Sequence, residues 1–265
     1  MSESVRIRAS SLGELFDCAA RWQSKHLLGM RTPVSGAALL GTAVHAGTAL
    51  FDQSRLDGNP ITADEAAGAV VDTLQKPEFD VDWEDSSPSQ AERQALPLHK
   101  LYCEQIAPGQ RYTAVEATCE NLELTDIGIT LTGTVDRVRK TPEGFGIADI
   151  KTSRTAVDAN GHVKTHIHAV QLGVYEILAQ AVTGREISAP AQIIGLQVAK
   201  TERGRRAATA EIRDARELLL DDGDSPGLLR IVSRLIHSGD FFGNPRSQLC
   251  NPRYCPAYQN CRWRK

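Results

Sequence analysis

Between residues 112 and 152 the hydrophobic pattern of the sequence changes from the period of a helix to the period of a strand. Residues 112–124, 129–140 and 145–152 are rich in Thr, Val and Ile, and turn residues separate the three segments. This order predicts a three-stranded antiparallel meander. Because helical patterns precede and follow it, the chain is predicted to form an α/β fold with a mixed β-sheet flanked by helices.

The spacing of apolar residues predicts the elements around the meander. A capping-box pattern at residues 11–14 starts an N-terminal helix that is expected to run to Leu28. A buried strand is expected at residues 192–199. Further helices are predicted at residues 37–53, 62–76, 89–106, 169–182 and 216–236. The acidic, proline-containing segment 77–90 is interpreted as a loop insertion, and residues 1–265 as a single domain.

Composition and charge exclude several classes of protein. The chain has 265 residues, 41% hydrophobic and 24% charged, which is typical of a soluble globular protein that needs no disulfides. The longest uncharged apolar stretch, residues 37–51, is shorter than the roughly 18 to 20 residues that span a bilayer. No signal-peptide pattern opens the sequence, so we expect a cytoplasmic protein with no membrane partner. Residues 246–265 contain basic side chains and no acid, and this basic tail is a candidate phosphate contact.

The turn between the second and third segments brings two aspartates together. If Pro142 and Glu143 form the turn, Asp136 faces Asp149 across the hairpin. Such neighbours have Cβ atoms about 4.5 to 5.5 Å apart, and like charges there destabilise a sheet unless a cation compensates them. Alternation places Lys151 on the face of Asp149. Two carboxylates with a lysine suit metal-dependent phosphodiester hydrolysis, and a solvated face with cross-strand ion pairs is the alternative.

The same hairpin resembles the catalytic motif of a nuclease family. Residues 133–137 (Gly-Thr-Val-Asp-Arg) and 148–153 (Ala-Asp-Ile-Lys-Thr-Ser) are similar to the motif of the PD-(D/E)XK nuclease superfamily, in its RecB-like branch. Val135 stands at the position of the proline in the family name. The resemblance implies a restriction-endonuclease-like catalytic core at residues 112–200, bound Mg²⁺ or Mn²⁺, and a catalytic role for Lys151.

Three further positions resemble motifs of the RecB-like branch. Residues 41–45, within a histidine helix at 41–53, resemble its glycine-to-histidine motif, and residues 171–175 resemble its QxxxY motif. Glu116 corresponds to an acidic residue of the first strand, where Glu120 and Glu123 are rival candidates. For His45 the alternative is a core histidine, and for Gln171 with Tyr175 a polar helix edge. The resemblance implies the following sites: Asp136, Asp149, Lys151, Glu116, Gln171 and Tyr175 as catalytic residues, and His45, Asp136, Asp149 and Ile150 as metal ligands.

Four cysteines have a divided arrangement. Cys18 lies in the first predicted helix, and Cys250, Cys255 and Cys261 lie in the tail, more than 200 positions away. In the RecB-like branch this arrangement binds a [4Fe-4S] cluster, so the resemblance implies an iron-sulfur staple that joins residue 18 to residues 250–261. Zinc is the alternative, although small zinc sites usually pair their cysteines at both ends. The remaining cysteines, Cys103 and Cys119, are expected to pack as hydrophobic residues.

These resemblances imply a metal-dependent DNA exonuclease of recombination, repair or CRISPR adaptation. The sequence has no helicase P-loop pattern, so the expected partners are DNA with free ends and a helicase, a single-strand annealing protein or a CRISPR integrase. The alternative is a non-catalytic DNA-binding or assembly subunit that keeps the nuclease fold and the cluster.

Overall fold

The computed structural model describes residues 4–84 and 86–264, so residues 1–3, Asp85 of the acidic segment and Lys265 of the basic tail lie outside the described residues. The strands are β1 (Val5–Arg8), β2 (Val34–Ser35), β3 (Val81–Asp82), β4 (Tyr112–Leu124), β5 (Ile129–Thr141), β6 (Gly144–Ser153), β7 (Ala191–Gln197) and β8 (Arg206–Ile212). The α-helices are α1 (Leu12–Asp17), α2 (Ala19–His26), α3 (Gly36–Leu56), α4 (Ala63–Gln75), α5 (Pro88–Leu101), α6 (Ala169–Thr183) and α7 (Leu228–Ser238).

The central sheet is mixed, as predicted. Strands β4, β5 and β6 form the expected antiparallel meander. On the far side of β6 the sheet continues with parallel β7 and then antiparallel β8, and β1 pairs in parallel with β5. The short strands β2 and β3 form a separate parallel pair.

The sheet has an opening along one edge of β5. Strand β4 follows β5 along its other edge, so β1 and β6 share the remaining edge. Strand β1 pairs with residues 129–132, and β6 pairs with residues 137–141. Neither of these two described registers includes residues 133–136, and Asp136 therefore lies where β6 separates from β5.

Helices cover both faces of the sheet. Helices α1, α2, α6 and α7 enclose one core, in which Trp22 and Leu178 are fully buried. Helices α3, α4 and α5 enclose a second core against Ile150 and Ile194 of the sheet. Side chains of β6 alternate between the two: Ile147 contacts the first core and Ile150 the second. Among residues 4–84 and 86–264, we find no helix with the length and hydropathy of a transmembrane span.

Two predicted helices are wrong in extent. The predicted helix 12–28 is interrupted at Cys18, whose extended backbone (φ −156°, ψ 98°) separates α1 from α2. The predicted helix 216–236 is divided into a short 3₁₀ helix at Ala215–Leu218 and helix α7, because Pro226 and Gly227 interrupt it and Gly227 lies against the backbone of Leu219 and Leu220.

The segment predicted as a loop insertion, 77–90, is partly regular. It contains β3, and α5 begins within it at Pro88, in the first turn, where proline is favoured. Within this segment, Asp82 lies 3.7 Å from the Arg253 guanidinium of the basic tail, and Glu84 contacts the same group. The tail is therefore tied to the β2–β3 pair, and part of its positive charge is neutralised there.

Candidate active site

Asp136 is held at the opening of the sheet by the neighbouring strand. Its Oδ2 accepts a hydrogen bond of 2.8 Å from the backbone amide of Ile150. The hairpin register is the predicted one, since Lys140 pairs with Phe145 and Arg137 with Ala148. Beyond Arg137 the strands diverge, so Asp136 and Asp149 are not the directly opposed pair that the sequence predicted, and Asp136 bonds to the Ile150 amide instead.

His45 reaches the same point from the opposite layer. It lies on α3, whose N-terminus is capped by the Ser35 hydroxyl. Its Nε2 donates a hydrogen bond of 2.7 Å to the carbonyl oxygen of Ile150, and its Nδ1 lies 3.4 Å from Asp136 Oδ2. The interpretation of His45 as a core histidine is thus not supported, because the ring faces polar groups at the end of β6.

Glu116 lies beside Asp136 on the adjacent strand. Val115 pairs with Arg137 and Ala117 with Val135, which puts Glu116 across from Asp136. Its backbone is left-handed (φ 49°), a conformation that costs free energy in a residue with a side chain and that clusters at functional sites. The ligand atoms of His45, Glu116 and Asp136 all lie within 4.8 Å of one another.

Asp149 and Lys151 form the other half of the site. The Lys151 Nζ donates a hydrogen bond of 3.1 Å to Asp149 Oδ1 and lies 2.8 Å from Oδ2. It also donates to Gln171 Oε1 at 3.0 Å, and Gln171 in turn donates to the Tyr175 hydroxyl at 2.9 Å. The two α6 residues therefore face the lysine, because positions i and i+4 share one face of a helix.

The electrostatics of the site favour a cation. The pKa of Asp149 is raised to about 6, because burial and, to a smaller extent, the negative charge of Asp136 outweigh the opposing effect of Lys151. Burial and the charge of Asp136 also raise the pKa of Glu116. Crowded carboxylates with raised pKa values are typical of functional sites, since a bound cation would relieve their repulsion.

The donor atoms fit a hard divalent cation. The buried Asp149 Oδ2 accepts no hydrogen bond within the described residues, although the Lys151 ammonium lies close to it. Adjacent ligands of an octahedral Mg²⁺ lie about 3.0 Å apart, given metal-oxygen distances near 2.1 Å. His45 can offer one nitrogen to such an ion, and its Nδ1 lies 3.4 Å from Asp136 Oδ2, close to that value.

Sequence reasoning missed a buried ionic network behind the carboxylates. Arg137 is fully buried and is not part of the solvated face that the sequence allowed as an alternative. Its Nε donates to Asp52 Oδ2 at 2.8 Å, and its Nη1 donates to Glu116 Oε1 at 3.1 Å. His45, Thr48 and Asp52 lie on one face of α3, and this i, i+3, i+7 spacing of polar residues on an apolar helix was the available signal.

The four candidate cysteines line one small cavity between the start of α2 and the tail. Cys18, Cys250, Cys255 and Cys261 are all free thiols. The Asn244 amide donates to Cys18 Sγ at 3.4 Å, and the Asn244 side chain donates to the carbonyl of Asp17 at 2.9 Å. In the described chain no three sulfurs lie within 4.8 Å of one another, whereas a tetrahedral zinc site holds them about 3.8 Å apart.

The other two cysteines belong to the cores. Cys119 is buried in the first core, and Cys103 is buried in the second, where its sulfur contacts His99. Both side chains pack as hydrophobic residues, as predicted. Burial raises the pKa of Cys103 to about 12, so this thiol is protonated at neutral pH.

Comparison with protein families agrees with this fold. The sequence matches the PD-(D/E)XK nuclease superfamily over residues 6–262, and the chain belongs to that superfamily. Its mixed sheet flanked by helices is a restriction-endonuclease-like fold, as predicted. No curated protein matches the sequence. A solved structure titled "Crystal structure of SSO0001" is similar over 100% of this chain and 90% of its own, with 14% identity and a TM-score of 0.43.

Proposed function

We propose that this protein is a metal-dependent deoxyribonuclease of the RecB-like branch. The observation that carries the proposal is the contact of Lys151 with buried Asp149 at the opening of the sheet, beside Asp136, Glu116 and His45. A lysine next to crowded carboxylates is the arrangement that phosphodiester hydrolysis needs. Membership of a nuclease superfamily supports the same reaction.

Each residue has a role that follows from its contacts. His45, Asp136 and Glu116, whose ligand atoms lie together, would bind Mg²⁺ or Mn²⁺ with the carbonyl of Ile150, and Asp149 is the further ligand that the resemblance implies. When bound, the cation polarises the phosphoryl oxygen and lowers the pKa of a bound water. Gln171 accepts a hydrogen bond from Lys151 and fixes its ammonium, which can orient the attacking water or offset the charge that develops on the phosphate. Tyr175 positions Gln171 through its hydroxyl.

The proposed substrate is DNA with a free end. The RecB-like branch that the sequence resembles generally trims ends, and no P-loop motor is present in the sequence. The tail adds stacked pairs of arginine and aromatic side chains, among them Arg262 over Trp263 at 4.4 Å from the ring centroid, which suit phosphate and base contacts. We propose roles in recombination, repair or CRISPR adaptation with a helicase, a single-strand annealing protein or a CRISPR integrase as partner.

We further propose that Cys18, Cys250, Cys255 and Cys261 bind a [4Fe-4S] cluster. Their common cavity supports a shared cofactor. A cluster would bind each thiolate through a separate iron atom. The role is structural, since the cluster would join the tail to the first two helices.

The second candidate function is a non-catalytic DNA-binding or assembly subunit that keeps the fold. The contacts of Lys151 with Asp149 and Gln171 favour the enzyme, because a binding subunit has no need for a lysine fixed over buried carboxylates. Degradation of DNA by purified protein separates the two functions.

The test uses anaerobically purified protein with Mg²⁺ or Mn²⁺ on end-labelled linear DNA and on closed circular DNA. We expect linear DNA to be shortened from its ends and circles to survive. Lys151→Ala should abolish the activity, while Lys140→Ala, an exposed lysine of the same hairpin, should retain it. Rapid nicking of circles would indicate an endonuclease, and inactivity of the wild type on every substrate would favour the non-catalytic subunit.

A further inference from the structure

Arg137 is enclosed by acceptors on three different elements. Besides Asp52 and Glu116, it donates from Nη1 to the carbonyl oxygen of its neighbour Asp136 at 2.7 Å and from Nη2 to the Thr48 hydroxyl at 3.3 Å. The guanidinium thus connects α3 with β4 and β5. Since it bonds to the Glu116 carboxylate and to the Asp136 carbonyl, the position of this one group affects two members of the metal-ligand cluster formed by His45, Glu116 and Asp136.

Asp52 fixes the guanidinium from the side away from the cluster. The side chains of Asp52 and Arg137 are both fully buried, and the Tyr102 hydroxyl donates to the same Asp52 oxygen. The Tyr112 ring lies 5.7 Å from Arg137 Cζ, and its hydroxyl lies 3.1 Å from that of Tyr102. A buried charge without its partner is strongly destabilising, so Arg137 is confined to the geometry that Asp52 defines.

The ion pair also preserves the negative charge of the site. Asp52 balances the charge of Arg137, so Glu116 can accept a hydrogen bond from Arg137 and still offer its own charge to a cation. The left-handed backbone of Glu116 aims its side chain into the site, and the bond from Arg137 holds it there. Without Asp52, the guanidinium would be neutralised by Glu116 alone.

We propose that Asp52 is a positioning residue which acts through Arg137 to hold Glu116 and Asp136 in the geometry that binds the metal. The inference rests on the proposed function, because it presumes that these carboxylates bind a divalent cation. Helix α3 then contributes to the site in two ways. It carries the candidate ligand His45, and on the same face it carries Asp52, which positions Glu116 and Asp136 through Arg137.

The test is direct Mn²⁺ titration of the full chain by calorimetry, without DNA. Asp52→Asn should raise the Mn²⁺ dissociation constant about tenfold or more, the range found for residues that orient metal ligands. Arg137→Lys keeps the buried charge pair but loses the fork that reaches Glu116 and the Asp136 carbonyl, so it should have the same effect. If Asp52→Asn fails to fold, Arg137→Lys alone decides the question.

A matched control lies on the same strand. Arg139 is buried and pairs with Glu211 of β8 at 2.6 Å, outside the metal-ligand cluster. Glu211→Gln should leave Mn²⁺ binding within about twofold of the wild type. Wild-type affinity in a folded Asp52→Asn or Arg137→Lys variant would overturn the positioning role alone, whereas absence of Mn²⁺ binding by the wild type would overturn the proposed function and this inference with it.

Discussion

Asp136 and Ile150 are joined by a hydrogen bond of 2.8 Å from the Ile150 amide to the Asp136 carboxylate, at the point where the ladder between their strands ends. The carbonyl of the same Ile150 accepts the bond from His45. The backbone of Ile150 therefore orients two candidate ligands, Asp136 of the sheet and His45 of helix α3. Because Asp149 and Lys151 flank this residue in β6, the local backbone of one strand determines the geometry of most of the site.

Neutralising the buried carboxylate should separate activity from stability. Asp149→Asn is expected to lower DNA degradation by more than about a hundredfold, because the cation loses an anionic ligand. The same change removes a buried charge, so the melting temperature of the metal-free protein should be unchanged or higher. The exposed Asp158→Asn serves as the control for charge loss. Degradation at the wild-type rate by Asp149→Asn would contradict the assignment.

Removal of the histidine should be partly reversible. His45→Ala is expected to weaken metal binding but to leave Asp136 bonded to the Ile150 amide. High Mn²⁺ concentrations should therefore restore part of the activity, which a titration of the initial rate against Mn²⁺ would measure. An activity that is independent of this substitution at every metal concentration would return His45 to a structural role.

The pH dependence of the reaction should change with the metal concentration. The pKa of Asp149 is raised to about 6, so below that pH the metal-free site binds a proton, which must leave before a cation can bind. Protons and Mn²⁺ compete, and the acidic limb of the rate profile should move to lower pH as Mn²⁺ increases. In the metal-free protein, the pKa of Asp149 in the folded state exceeds the ordinary value of 3.8. Protonation of Asp149 therefore stabilises the fold as the pH falls through about 6. An acidic limb that does not move as the Mn²⁺ concentration changes would contradict competition between protons and Mn²⁺.

The cysteines should identify their cofactor by colour and by metal analysis. Protein with the proposed cluster should be brown after anaerobic purification, with a broad absorbance near about 400 nm. Serine in place of any one of Cys18, Cys250, Cys255 or Cys261 should remove the iron and destabilise the tail. Serine at Cys103 or Cys119 should not, since these thiols are packed in the two cores. One zinc and no iron per chain would contradict the cluster and leave the nuclease proposal intact.

The sequence predicted the hairpin well because its register depends on local turn chemistry. Residues 142 and 143 fix the turn, and the pairing of Lys140 with Phe145 follows from it. Strand β8 could not be predicted in the same way: it is rich in alanine, a poor strand former, and is extended because it pairs with buried β7. The break at Cys18 is equally non-local, since the α2 residue Ala20 donates its amide to the carbonyl of Phe242.

In the candidate site, too, some contacts follow from local sequence and others depend on residues far apart in the chain. Asp136, Asp149 and Lys151 are neighbours through one hairpin, and their proximity is encoded within about 16 residues. The Arg137–Asp52 pair joins residues 85 positions apart in different layers, and no local pattern encodes it. Contacts of this kind depend on how helices dock on the sheet, which a single sequence does not reveal.

The docking of the tail on the first helices has a consequence for biosynthesis. Ser247 donates to the Asp17 carboxylate at 2.6 Å and the Asn244 side chain donates to the Asp17 carbonyl at 2.9 Å, so Asp17 receives these partners only after residues 244–247 have been made. A nascent chain on the ribosome has Cys18 long before it has Cys261. The cavity between them therefore cannot close before residue 261 has been made, and delivery of any cofactor to it must follow that point.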